Sequence, residues 1–404
     1  MPKSTQIIYL SEVIFNQHMS NAFGVNILRS RGYSVELWDI SAIFHPQYND
    51  KCKNNVHVDC FNNVRFFKEL SAVVNAIKSQ PDNTIFLLFM WYRIETWQIF
   101  RTLSKFRRFY GLQLQNSHPS PKLQRFSWKR TISKLTQKPS LVINKLFSFL
   151  KPSYTGIRSA DFFVAGGKIT ATHPLISEST NIIWTSAYDY SLYLEEQKQN
   201  NRIASESDYI VFLDNYWPYH EDFILLGKPL ISPEDYYPKM RDLFDLAENK
   251  TGYKVIIAAH PKSFYDDKLD LFGNRSIYKG NTLNLVKHAH MVIAHDSLSL
   301  NFAVLYNKPV LFTKFNFDPL FDGEVIPDAM AEAFGKQAIN LDIPNIIDTI
   351  DFSAEMLVNQ PAYVTYMENY IVTPKGLKKN SWETVADYFD SMSPVIPNIK
   401  RSFS

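Results

Sequence analysis

Apolar residues in this chain fall into short, nearly continuous runs separated by amphipathic stretches. Residues 7–10 form the first run, a helical pattern over 21–31 stops at Gly32, and a second run follows at 34–39. That order predicts one β-α-β unit. The alternation continues with a helix over 68–78, a very apolar strand at 84–90 and a helix over 95–108. Strands without in–out alternation are covered on both faces, so the pattern predicts a parallel sheet between two helical layers. Runs at 161–165 and 182–184 close this first series, and the polar stretch 195–207 has the composition of an exposed connection. A second series opens at 209–213 and continues through a helix over 233–251 and strands at 254–258, 291–294 and 309–312.

The predicted fold class is therefore α/β, with two Rossmann-like domains and an interdomain cleft. The first domain spans 1–200, the second 201–375, and a tail over 376–404 carries a helix at about 381–390 that is expected to return to the first domain. A chain of 404 residues, 45% hydrophobic and 21% charged, has the length and composition for two separate cores. The net charge of +3 is too small to argue for a nucleic-acid binder, so no nucleic-acid partner is expected. Two cysteines, Cys52 and Cys60, lack the further ligands of a zinc site.

The N-terminal residues contain no long apolar segment with a cleavage site, and no apolar run approaches the roughly 20 residues that span a bilayer. A cytoplasmic location is expected. Within 113–154 the character changes: Lys122, Arg125, Lys129, Arg130, Lys134, Lys138, Lys145 and Lys151 are interleaved with apolar residues. This basic amphipathic insertion suits either peripheral contact with an anionic membrane or a helical insertion packed by one face on the domain.

In open parallel sheets, ligands bind beyond the carboxyl ends of the strands, which directs attention to three turns of the second series. Asp214 follows the strand 209–213, and a carboxylate shielded there can act as a general base; a simple loop or cap role is the alternative. His260, Pro261, Lys262 and Ser263 follow the strand 254–258, where proline holds the histidine extended and able to donate to a phosphate oxygen. His295, Asp296, Ser297 and Ser299 follow the strand 291–294 at the start of a helix, where hydroxyls and free amides can hold a phosphate or cap the helix. Near the N-terminus, Asn16, His18 and Asn21 follow the first strand and are candidates for binding an acceptor, with helix capping as the alternative for Asn21. Neither Gly-x-Gly-x-x-Gly nor a P-loop motif occurs.

The segment from Lys254 through His260-Pro261 and Ile293-Ala-His-Asp-Ser-Leu-Ser299 to Lys308-Pro-Val-Leu-Phe312 resembles the carboxy-terminal half of GT-B glycosyltransferases of bacterial surface polysaccharides. The resemblance is to those with His-Pro and serine motifs: sialyltransferases, their pseudaminic and legionaminic acid relatives, and Kdo transferases. It covers about 205–320, and the first half is similar only in its general β/α plan. It implies that His260 contacts the phosphate of a CMP donor and that Ser297 and Ser299 bind it. The acidic-acidic-Gly motif that carries the family's base is absent, so Asp214 stands as the expected base, with Asp189 and His220 as rivals. Glu324 and Glu332 have the spacing of a paired-glutamate motif but follow the Lys308-Pro-Val strand instead of preceding it, and are read as coincidence.

The resemblance thus implies inverting, metal-independent transfer of a nonulosonic acid from CMP to an oligosaccharide or lipid-linked glycan, with no cofactor beyond the nucleotide-sugar substrate. Donors of the CMP-Kdo or UDP/GDP-hexose type, and a non-catalytic scaffold in a polysaccharide-assembly complex, are the alternatives.

Overall fold

In the computed structural model, the described residues are 5–47, 49, 63–119, 144, 147, 150–198, 208–220, 231–265, 270–316, 325–376 and 379–392. They divide into two compact units. One takes the described residues of Met1–Gln115, Ser127–Tyr188 and Thr373–Ser404, the other those of Asn116–Phe126 and Asp189–Val372. Most of the basic stretch within 113–154, both cysteines and Glu324 lie outside the described residues.

The first unit is built on seven parallel strands: β1 (Gln6–Ser11), β2 (Ser34–Asp39), β3 (Val64–Phe66), β4 (Ile85–Phe89), β5 (Phe109–Leu114), β6 (Phe162–Ala165) and β7 (Asn181–Trp184), in the order β3-β2-β1-β4-β5-β6-β7. Its strands read as unbroken apolar runs because each face packs into its own core. Ile7 and Tyr9 of β1, with Ile85 and Leu87 of β4, enter one core, while Ile8, Leu10, Phe86 and Leu88 enter the other. The first of these cores is closed by Trp382, Val385 and Phe389 of the helix Ser381–Met392. Trp382 donates its indole N–H to the carbonyl of Ala22 at 2.6 Å.

That contact explains why the single helix expected over 21–31 is two, Gln17–Ala22 and Val25–Ser30. Gly24 between them has φ +59°, and a Cβ there would lie 2.0 Å from Cγ of Trp382. Only glycine serves both the left-handed backbone and the close approach of the indole. β5 begins directly after a helix, Trp97–Lys105, so its apolar residues blur into the preceding helical pattern.

The second unit carries six parallel strands: β8 (Tyr209–Leu213), β9 (Lys254–Ala259), β10 (Ile277–Lys279), β11 (Met291–Ala294), β12 (Val310–Lys314) and β13 (Ile339–Asn340), in the order β10-β9-β8-β11-β12-β13. The helix Pro233–Thr251, capped by Ser232 and stopped at Gly252, buries Tyr236, Tyr237, Met240, Leu243 and Phe244 against one face of this sheet. The chain leaves the first unit at Tyr188, earlier than the polar composition at 195–207 implies. Glu196 is drawn into the second unit because its carboxylate pairs with Lys287 and accepts from Tyr306. Among the described residues no helix is long and apolar enough to cross a membrane.

Candidate functional site

Parallel pairing sets the carboxyl ends of β9, β8 and β11 side by side at one edge of the second sheet. Leu213 pairs with Ala258 on one side and Ala294 on the other. Asp214, His260 and the 295–299 turn therefore leave from one rim, with the β9 and β11 turns about two strand spacings, roughly 9–10 Å, apart. Two side-chain bonds tie the three turns together. Tyr265 donates to Oδ2 of Asp214 at 2.6 Å, and Asn215 donates from Nδ2 to Oδ1 of Asp296 at 2.7 Å.

Asp214, expected as a base, is sealed at 3% exposure. Its Oδ1 accepts from the backbone N–H of Tyr216 at 2.8 Å, and the N–H of His260 also donates to its carboxylate. Burial pushes its pKa up to about 6, and these donors oppose the rise. With both oxygens engaged from within the protein, the carboxylate is placed to hold the turns rather than to meet a substrate hydroxyl. One of the held turns contains Tyr216 with φ 56°, a left-handed conformation that costs a bulky side chain on the order of 1–3 kcal/mol. Tyr216 leads into the short 3-10 turn Trp217–Tyr219 and then His220.

His220 and His260 meet across this edge with ring centroids 4.8 Å apart. Nδ1 of His260 accepts the backbone N–H of Lys262 at 3.2 Å, and its carbonyl accepts both the N–H and the hydroxyl of Ser263. A compact turn thus fixes the imidazole at half-burial, while Pro261 is exposed. At the β11 turn, Ser297 and Ser299 are half-buried, and Oγ of Ser297 accepts from the N–H of Ser299 at 3.3 Å.

His295 departs from the expectation that it helps to bind phosphate. Its side chain is fully buried, Nε2 lies 2.9 Å from the hydroxyl of Tyr236, and Nδ1 lies 2.7 Å from Oγ1 of Thr313. Trp217 stacks on the ring at 4.1 Å. Burial lowers its pKa to about 3, so it is a neutral core histidine. Strand periodicity is the reason: one residue beyond β11, its side chain still follows the inward face that holds Met291 and Ile293.

Asp189, in the first turn of the helix Tyr188–Lys198, accepts from Nδ2 of the fully buried Asn301 at 2.9 Å. Desolvation raises its pKa to about 7, which Asn301 opposes. In the first unit, Asn16 is the N-cap of Gln17–Ala22, its Oδ1 accepting from the N–H of Met19, and Asn21 is exposed and accepts from Gln17. The side chain of His18 lies outside the described residues. Tyr265, Trp217 and Asn215, which assemble the second rim, escaped the sequence reading. Asn215 lies within reach of the strand-end rule, whereas nothing local marks Tyr265. Among the described residues no group of three or more His, Cys, Asp or Glu could hold a metal ion.

Two parallel-sheet α/β units of this kind have the GT-B type of fold. No family model matches the sequence, and no curated protein matches it. Solved structures match along the whole length at low identity. A glycotransferase of kitacinnamycin superposes with a TM-score of 0.51 at 9% identity, covering 98% of this chain and 100% of its own. The wall teichoic acid polymerase TagF, solved with CDPG, gives 0.51 at 11%, covering 96% and 88%. The calicheamicin glycosyltransferase CalG4 gives 0.50 at 10%, covering 98% and 100%. The chain shares its fold with these enzymes.

Proposed function

We propose that this chain is a nucleotide-sugar-dependent glycosyltransferase whose second unit holds the donor. The observation that carries the reading is the convergence, at one sheet edge, of His260 with the Ser297–Ser299 turn, locked together through Asp214–Tyr265 and Asn215–Asp296. Fixed donors at such an edge suit the phosphate of a nucleotide, whose charge grows as it departs. The likeness in fold to known glycosyltransferases supports the same class of reaction.

In its finer form the donor is a CMP-linked nonulosonic acid, the reading that the His-Pro and serine motifs favour. An acceptor hydroxyl of a surface glycan attacks the anomeric carbon as the bond from that carbon to the phosphate oxygen breaks. CMP leaves with its phosphate on His260, Ser297 and Ser299, Lys262 supplies further positive charge, and configuration inverts. His220, beside His260, takes the hydroxyl proton in place of the sealed Asp214. Asp214 is a positioning residue for both histidines.

A second reading keeps the chemistry and changes the donor to a nucleoside-diphosphate conjugate; the polymerase solved with CDPG favours it. Incubation with CMP-, CDP-, UDP- and GDP-linked donors, with free nucleotide measured by chromatography, decides between them. Release from a CMP-sugar alone, lost in Ser297→Ala/Ser299→Ala, supports the finer reading. Release from a diphosphate donor alone replaces it, and release from none points to a non-catalytic binding protein.

A further inference from the structure

The carboxyl edge of the first sheet carries a second cluster, assembled from three strand ends. Glu12 follows β1 and is 2% exposed. Its Oε2 receives Nη2 of Arg93 at 2.5 Å and Nε2 of His45 at 3.0 Å, and its Oε1 accepts the backbone N–H of Trp91. His45 lies beyond β2, and Trp91 and Arg93 lie just beyond β4. A carboxylate buried this deeply is stable only with such partners.

The cluster pins a loop that displays an aromatic ring. Besides the Trp91 N–H on Glu12, Oγ1 of the fully buried Thr96 donates to the carbonyl of Trp91 at 2.7 Å and accepts from the N–H of Arg93 at 3.2 Å. Trp91 is thus held by both its backbone groups, yet its side chain is 45% exposed. The guanidinium of Arg93 lies 5.2 Å from the indole centroid, and the ring of His45 meets it edge-on at 5.6 Å. A rigid tryptophan left open at a strand edge, bordered by hydrogen-bonding groups, is a preformed stacking surface. Its polar border has both kinds of function. Among the described residues nothing meets Nη1 of Arg93 or Nδ1 of His45, and Glu95, 3.4 Å from Nε of Arg93, supplies a carboxylate.

We propose that this cluster binds a neutral saccharide, with a sugar ring on Trp91 and its hydroxyls on Arg93, His45 and Glu95. Neutrality follows from the charges: among the described residues the carboxylates of Glu12 and Glu95 at least balance Arg93 and His45, whatever the charge on the imidazole, so the cluster itself offers no net positive field for an anion. The site deepens the transferase reading by naming an acceptor class. It stands apart from Asn16 and Asn21, whose amides are engaged in and on their own helix.

Saturation-transfer NMR on the full chain tests it, with neutral hexose and N-acetylhexosamine disaccharides and a uronate disaccharide as probes. Neutral members are expected to bind, Trp91→Ala to weaken them at least tenfold, and Trp91→Tyr, which keeps a ring, to restore most of the affinity. Binding by the uronate alone, by no neutral probe, or equally by Trp91→Ala overturns the proposal. Melting shifts with nucleotides, measured on the same variants, separate the two claims. Saccharide binding without any nucleotide shift contradicts the transferase reading and leaves this site standing; a nucleotide shift without saccharide binding does the reverse.

Discussion

Each sheet buries a carboxylate at its carboxyl edge, but the two are held by different means. Glu12 in the first unit is met by a guanidinium, an imidazole and a backbone amide, whereas Asp214 in the second is met by two backbone N–H groups and a tyrosine hydroxyl. The surroundings differ accordingly. Around Glu12 the partners remain partly exposed and an indole stands open, while Asp214 lies beneath Tyr216 and Tyr265, both buried. Charge pairing leaves the first rim partly exposed; neutral bonding makes the second a rigid frame that carries His260 and the serines on the turns it holds.

Removing the two carboxylates sharpens this contrast. Glu12→Ala strands the mostly buried guanidinium of Arg93, and chemical denaturation is expected to show a loss of about 3–5 kcal/mol. Asp214→Ala orphans uncharged donors and is expected to lose about 2–4 kcal/mol in the same measurement. A larger loss for Asp214→Ala than for Glu12→Ala would break the comparison. His260→Ala should lower turnover about a hundredfold, equivalent to about 2.7 kcal/mol of barrier, with the melting temperature nearly unchanged. Steady-state kinetics beside a thermal melt would reveal the alternative, a histidine that only supports the turn.

The smallest effect concerns Asp189. Burial raises its pKa from 3.8 to about 7, so its stabilising contribution is complete below pH 3.8 and is lost as pH rises through 7. Asp189→Asn avoids that loss. Its melting temperature should exceed that of the wild type at pH 8, with the gain fading toward pH 4. A gain independent of pH would contradict the assignment.

Much of the architecture is legible from periodicity, because the central strands are buried on both faces and so appear as apolar runs. β1, β4, β8, β9, β11 and β12 all fall on runs read directly from the sequence. The strands that escape are β3, β10 and β13, each only two or three residues long at or near a sheet edge, and β5, which merges with the helix before it. The strand-end rule places Asp214, His260 and Ser297 at one sheet edge because it depends on topology alone. It cannot tell an outward side chain from an inward one, which is why His295 reads like His260 while lying in the core. Nor can it find Tyr265, whose hydroxyl reaches Asp214 from a different loop 51 positions away. Glu12 and Arg93 do obey the rule, but their meaning depends on a contact across 81 positions that no local pattern contains.

The central claim is that His260 and the Ser297–Ser299 turn grip a nucleotide's phosphate. Thermal melting of the wild type and of His260→Ala with saturating CMP, CDP, UDP and GDP tests it most directly. At a hundred times its dissociation constant, a bound nucleotide should stabilise the wild type by about 2.7 kcal/mol, and His260→Ala should lose most of that gain. A wild type that no nucleotide stabilises, or a His260→Ala variant stabilised equally, would contradict the account.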